Sequence, residues 1–249
     1  MITARPRVLI VDDDAVSLEF LRATVERCGC EAIGAADAAA ATAQVAGTDL
    51  LMIDRRMPGI DGPALLRKLR TAGIRAPAIA TSAELDQPGK AALLAAGFAD
   101  TLLKPADPAT IQQLLLRFVT PLATSTNPDI VGVESTESTA LLDDAAALTA
   151  IGGDPVALRA LRVLFATELD DAASETADCL DAEQRGAVIE RLHRMRASCG
   201  ICGASALGVA TRQYERALRE DSNEVEVAPA RVTFVETCAA TRRAIAAAS

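Results

Sequence analysis

Leu50-Leu51-Met52-Ile53-Asp54-Arg55-Arg56-Met57-Pro58-Gly59 decides the fold. Four apolar residues run straight into a carboxylate, and a loop carrying Pro58, Gly59 and Gly62 follows. An unbroken apolar run of this length suits a strand buried on both faces, as in a parallel sheet. Such a strand delivers its last residue, Asp54, to the carboxyl edge of the sheet, where open α/β folds keep their ligand sites. A second strand, Arg7 to Val11, ends the same way in Asp12-Asp13-Asp14. Carboxylates crowded at two strand tips repel one another unless a cation sits among them.

Working outward, strands alternate with helical segments. An amphipathic stretch from Ala15 to Cys28 carries Phe20, Leu21 and Val25 at helical spacing, and Gly29 breaks it. Glu31–Ala35 reads as a strand, and Asp37 caps an Ala-rich helix running to Val45. Leu50–Ile53 is the third strand, and Pro63 opens a helix through Ala72. Pro77–Thr81 is the fourth strand, Gln87–Ala96 a helix, Phe98–Leu103 the fifth strand and Ala109–Phe118 the last helix. Five βα units predict a doubly wound, five-stranded parallel sheet. Its strand ends gather Asp12, Asp13, Asp54, Thr81-Ser82 and Lys104-Pro105 on one edge. Carboxylates for a divalent cation, one more as nucleophile, a hydroxyl and an ammonium are what phosphoryl transfer needs, because that chemistry is mostly positioning and charge neutralisation. Agreement at four strand ends outweighs the bland alternative of solvated acids.

These residues resemble the receiver domain of two-component response regulators. The resemblance covers residues 5–120 and rests on Val11-Asp12-Asp13, Asp54, Met57-Pro58-Gly59-Ile60-Asp61-Gly62, Ser82-Ala83 and Lys104-Pro105, in order. It implies a flavodoxin-like fold with Asp54 as phosphoacceptor. It also implies Mg2+ as cofactor, held by Asp13, Asp54 and the backbone carbonyl of Arg56 with Asp12 close by, and Ser82 and Lys104 as phosphoryl contacts. Thr101 departs from the pattern, since receivers often carry an aromatic three residues before the lysine.

Residues 121–139 have linker composition, rich in Ser and Thr with Pro121, Pro128 and Gly132. About 20 flexible residues span roughly 25 Å, enough for the flanking halves to meet. Beyond them, residues 140–249 show no strand pattern. A short helix, Ala140–Ile151, precedes four longer amphipathic ones: Pro155 to about Ala182, Gly186 to about Cys202, Ala206–Glu220, and Pro229 to about Ala248. Leu158, Leu161, Leu164, Phe165 and Leu169 mark the first core face, and Ile189, Leu192, Met195 and Cys199 the second. Leu207, Ala210, Tyr214 and Leu218 mark the third, and Val232, Val235, Ala239 and Ile245 the fourth. Four such helices predict an all-α four-helix bundle.

The second long helix carries the only histidine, His193, one step off the core stripe and sharing a face with Arg196, Ala197 and Gly200. A protruding neutral imidazole can take a phosphoryl group, and a neighbouring cation steadies it. This half resembles histidine phosphotransfer (HPt) domains through His193-Arg194-Met195-Arg196-Ala197-Ser198-Cys199-Gly200 and the following Gly203-Ala204. Arg196 and Ala197 stand where the family has Lys and Gly. The Cys199-x-x-Cys202 and Cys28-x-Cys30 pairs lack the second pair a four-ligand zinc site needs and read as small core residues.

Composition limits the rest. The net charge is −9, and its excess lies in the second half. Residues 1–122 hold 13 Lys/Arg and 14 Asp/Glu, residues 123–249 hold 12 and 20. That acidity argues against nucleic-acid binding. No apolar run is long enough for a membrane span, no apolar leader is visible, and six scattered cysteines suit a cytoplasmic, reduced chain. Without a nucleotide-binding loop the chain reads as a phosphotransfer protein with no kinase catalytic domain. Its expected partners are a sensor histidine kinase, plain or hybrid, and a second receiver or HPt protein. Two alternatives remain: a receiver switch joined to a degenerate docking domain, and a stand-alone phosphatase using the same Asp54.

Overall fold

The computed structural model describes residues 5–119, 141–176, 182–220 and 224–248. The linker expected at 121–139 and Cys179 lie outside the described residues.

The first half is a five-stranded parallel sheet. Its strands are β1 (Arg7–Val11), β2 (Glu31–Ala35), β3 (Leu50–Asp54), β4 (Ala78–Ser82) and β5 (Asp100–Leu103), in the order β2-β1-β3-β4-β5. Ile10 pairs with Met52 and Met52 with Ile79, so the longest apolar runs occupy the middle. Side chains alternate between faces. Val8, Ile10, Leu50, Met52 and Ile79 join one core, and Leu9, Val11, Leu51, Ile53 and Ala80 the other. Helices α1 (Ala15–Arg27), α2 (Ala38–Gln44), α3 (Gly62–Thr71), α4 (Gln87–Ala95) and α5 (Pro108–Val119) connect the strands. Four of them start on an aspartate whose carboxylate accepts an amide of the first turn: Asp14 from Ser17, Asp37 from Ala40, Asp61 from Ala64 and Asp86 from Gly89.

The second half is helical: α6 (Asp144–Ile151), α7 (Pro155–Glu175), α8 (Ala182–Cys202), α9 (Ser205–Arg219) and α10 (Glu224–Ala248). Helix α7 packs on α8, α8 on α9, α9 on α10, and α10 back on α7. Asp154 accepts the amides of Val156 and Ala157 at the start of α7, with Pro155 in the first turn where its missing N–H costs nothing. Tyr214 and Phe234 meet in the core with ring centroids 5.6 Å apart.

Four expectations change. Helix α6 begins at Asp144 instead of Ala140, because Asp143 caps it by accepting the Ala146 amide. Helix α7 ends at Glu175, short of Ala182, and α8 begins at Ala182 instead of Gly186. Helix α10 starts at Glu224 and takes Pro229 into its second turn instead of starting there. That earlier start brings in Val227, and the α10 core is Val227, Phe234, Cys238 and Ile245, while Val232 is 52% exposed. A buried phenylalanine outweighs two small side chains, so the helix turns toward Phe234 and away from the Val232–Ala239 stripe.

The two halves are in contact. Helices α7 and α8 pack on α1, and the core containing Phe20, Leu21 and Ile111 runs without a break into Ile151, Phe165 and Leu192. Arg27 donates to the Ile151 carbonyl. Glu168 of α7 lies near the backbone amides of Ala15 and Val16, so the start of α1 faces an acidic side chain of the other half.

Candidate functional site

The parallel sheet brings the ends of β1, β3, β4 and β5 to one edge, and α8 lies across it. Asp12, Asp13, Asp14, Asp54, Arg56, Ser82, Ala83 and Lys104 share a cleft there with His193, Arg194 and Ala197. Asp54 is 7% exposed and His193 6%, so the cleft is closed over both.

Lys104 organises the acidic side. Its Nζ lies 2.5 Å from Asp54 Oδ1 and 2.9 Å from Asp12 Oδ2. Asp54 Oδ2 accepts the Arg56 amide at 2.8 Å, and Thr81 donates to Oδ1 at 3.5 Å. Asp12 also accepts from Ser17 Oγ at 2.7 Å and from the Asp14 amide at 3.1 Å. Ser82 lines the cleft with its hydroxyl turned to the Glu84 carbonyl, 2.6 Å away. Gly62 closes the loop after Asp54, where a Cβ would collide with the Asp54 carbonyl oxygen.

Burial sets the protonation. It pushes Asp54 up to about 6, opposed by the Lys104 charge. Asp14 rises to about 6 through burial and the neighbouring Asp12 charge. Burial alone would lower Lys104, but Asp12 and Asp54 carry it far above its ordinary value.

The histidine side is equally built. Glu215 of α9 lies 3.4 Å from His193 Nδ1. Arg56 Nη1 is 3.2 Å from Nδ1 and 3.3 Å from Nε2. Near-equal distances to both nitrogens put the guanidinium over the ring face, outside the line of either lone pair. Burial would raise Glu215, but hydrogen bonds from His193 and Arg219 hold it down at about 2.

All the residues singled out in the sequence meet here except Arg196. Its guanidinium lies 3.5 Å from Glu84 and 3.7 Å from Glu215, and Arg56 takes the position beside the imidazole. His193 does not protrude, because the carboxyl edge of the parallel sheet covers it. The sequence reading missed Arg194, whose Nη1 is 2.6 Å from Asp13 Oδ2, and Ser198, whose hydroxyl donates to Asp14 at 2.5 Å. It also missed Glu215. Arg194 sits one position from His193, a step that turns about 100° on a lone helix and hides the kinship until a broad partner surface covers both. Cys199 and Cys202 are buried free thiols, pushed up by burial, as expected of core residues.

Among the described residues no three His, Cys, Asp or Glu side chains form a ready ligand cluster. Lys104 stands between Asp12 and Asp54, and Arg194 takes one oxygen of Asp13. Asp13 Oδ1, however, is buried without a hydrogen-bond partner, as a ligand oxygen lacking its cation would be. The donor set, all hard oxygen, fits Mg2+.

Known proteins align with both halves. Over 231 residues the chain is 29% identical to the sensor histidine kinase GacS of Pseudomonas protegens, covering 87% of this chain and 24% of that protein. It is 25% identical over 230 residues to the signal transduction histidine-protein kinase BarA of Escherichia coli, covering 89% and 25%. The chain thus spans about a quarter of the length of these curated relatives. The solved receiver domain of the Francisella response regulator 1452 is 33% identical, with 46% of this chain and 93% of that one covered and a TM-score of 0.42. The family model for the response regulator receiver domain matches residues 8–116. With the strand order and the Asp–Asp–Lys edge in place, residues 8–116 of this chain are a response regulator receiver domain.

Proposed function

We propose that the chain is a two-station phosphorelay protein: a receiver over residues 1–120, a linker at 121–139, and a four-helix HPt-like bundle over 140–249. Asp54 accepts a phosphoryl group from a histidine of a partner sensor histidine kinase, plain or hybrid, or of an HPt domain. His193 carries the group to or from a receiver aspartate, in cis or on a second protein. The observation that carries this reading is that Asp54 and His193 line one cleft.

In the first step a carboxylate oxygen of Asp54 attacks phosphorus. A P–O bond forms as the donor's P–N bond breaks, and the donor imidazole keeps the electron pair. In the second, His193 Nε2 attacks, a P–N bond forms, and the P–O bond breaks back to the Asp54 carboxylate. Glu215 fits a positioning role: as acceptor for Nδ1–H it leaves the lone pair on Nε2. Lys104 and Ser82 line the cleft and would hold phosphoryl oxygens, Ser82 after its hydroxyl leaves the Glu84 carbonyl, and Arg56 beside the ring would take the role expected of Arg196. Mg2+, held by Asp13, Asp54 and the Arg56 carbonyl with Asp12 nearby, would neutralise charge on the transferring group. No kinase catalytic domain is needed for either step, and the work is that of a cytoplasmic protein. No helix among the described residues is long and apolar enough to cross a membrane.

The test is incubation with a phosphorylated histidine kinase, followed by acid and base treatment. Phosphohistidine is acid-labile and base-stable, and aspartyl phosphate is base-labile. Wild type should show both adducts, His193→Gln only the base-labile one, and Asp54→Asn should lose that one. A second reading treats the helical half as a docking domain that exchanges no phosphate. The Arg196 and Ala197 replacements beside His193 favour it, and a base-labile adduct alone in wild type would establish it.

A further inference from the structure

Arg194 occupies the place where the acidic cleft calls for a cation. We propose that Arg194 and a divalent metal ion compete for Asp13, so that filling the cleft with Mg2+ lifts α8 off the receiver, an inference that rests on the metal assignment just made.

Asp12 and Asp54 already share Lys104, which leaves Asp13 as the carboxylate with spare capacity. Its side chain is 9% exposed and takes a single hydrogen bond from Arg194. Its other oxygen has no partner, nor does Arg194 Nε, although a guanidinium can grip a carboxylate with two parallel bonds. The pair is half made on both sides, which suits a contact that must be given up.

Charge points the same way. Asp12, Asp13 and Asp54 carry −3 when ionised, and Lys104 with Arg194 returns +2, leaving −1. Exchanging Arg194 for a divalent ion brings this group to neutrality, and the remaining charges of the cleft, Asp14 and Arg56, are opposite in sign. An ion bound at about 2.1 Å from a carboxylate oxygen would face a guanidinium 2.6 Å from the same carboxylate, and the two cations repel. Besides the Asp13–Arg194 pair, α8 meets the other half through the Ser198 hydroxyl on Asp14, Arg56 against His193, Arg196 at 3.5 Å from Glu84, Gly200 laid against Pro105 and its packing on α1. The Asp13–Arg194 pair is the one among them that a cation in the cleft contests directly. Coupling between metal and docking is reciprocal, so whatever loosens α8 must tighten Mg2+ binding by the same factor.

Gly200→Ala separates this coupling from simple charge removal. Its added Cβ would lie 2.9 Å from Pro105 Cγ, wedging α8 away while the cleft keeps every charge. The experiment is a Mg2+ titration of the full chain by calorimetry, with small-angle scattering at each end point. Wild type should expand as Mg2+ binds, and both Gly200→Ala and Arg194→Ala should bind Mg2+ about tenfold more tightly, within the usual range of such couplings. Equal affinity in wild type and Gly200→Ala, with scattering unchanged by Mg2+, overturns the competition and leaves the metal assignment standing. Absence of Mg2+ binding in all three proteins overturns both.

Discussion

At the scale of the residue, the site is a set of buried charges that depend on one another. Lys104 is the clearest case. Lys104→Ala leaves Asp12 and Asp54 facing each other with no ammonium between them, and breaking a buried pair this way costs about 3–5 kcal/mol. Urea unfolding at neutral pH should register that loss. The deficit should shrink toward pH 4, as the bare carboxylates take up protons. Glu215 works in the opposite direction. Its folded pKa of about 2 lies below its ordinary value of 4.5, so its contribution is present above pH 4.5 and lost as pH falls toward 2. Glu215→Gln should therefore flatten the acid limb of the stability profile between those values. Asp54 and the acids around it were legible in the sequence, because a buried strand can end in only one place. Arg194, Ser198 and Glu215 were not, because their importance depends on which surface another part of the chain covers.

At the scale of the element, the buried parallel strands announced themselves. Every strand falls within two residues of its expected ends, because an apolar run bounded by Asp, Pro or Gly leaves little freedom. Amphipathic helices are less strict, and α10 shows the reason. Its Ala-rich sequence offers several weak stripes, and the one chosen depends on where Phe234 finds room beside Tyr214. Phe234→Ala should cost about 3–5 kcal/mol, whereas Val232→Ala, on the exposed stripe, should stay within about 0.5 kcal/mol. Denaturant midpoints of the two variants check both. The reverse ranking would restore the stripe expected from sequence.

At the scale of the whole molecule, the sequence offered two halves on a tether and the structure seats one on the other. The seat could not be read beforehand, because Phe20, Ile111, Ile151 and Phe165 look like ordinary core residues of their own halves until one continuous core joins them. Glu168 is the polar counterpart of that core. Glu168→Ala removes an acidic side chain from beside the start of α1 and should weaken the seating. Asp54 would then take phosphate from acetyl phosphate several-fold faster than in wild type, measured as base-labile adduct against time. An unchanged rate would mean that α8 does not shield Asp54.

The acidic neighbour of α1 has a practical corollary. The amide protons of Ala15 and Val16 belong to the receiver but lie near a carboxyl group some 150 positions away in the chain. Their exchange rates and nuclear resonance frequencies form a natural gauge of closure, readable with no added label, whenever a metal, a phosphoryl group or a partner protein is brought to the molecule.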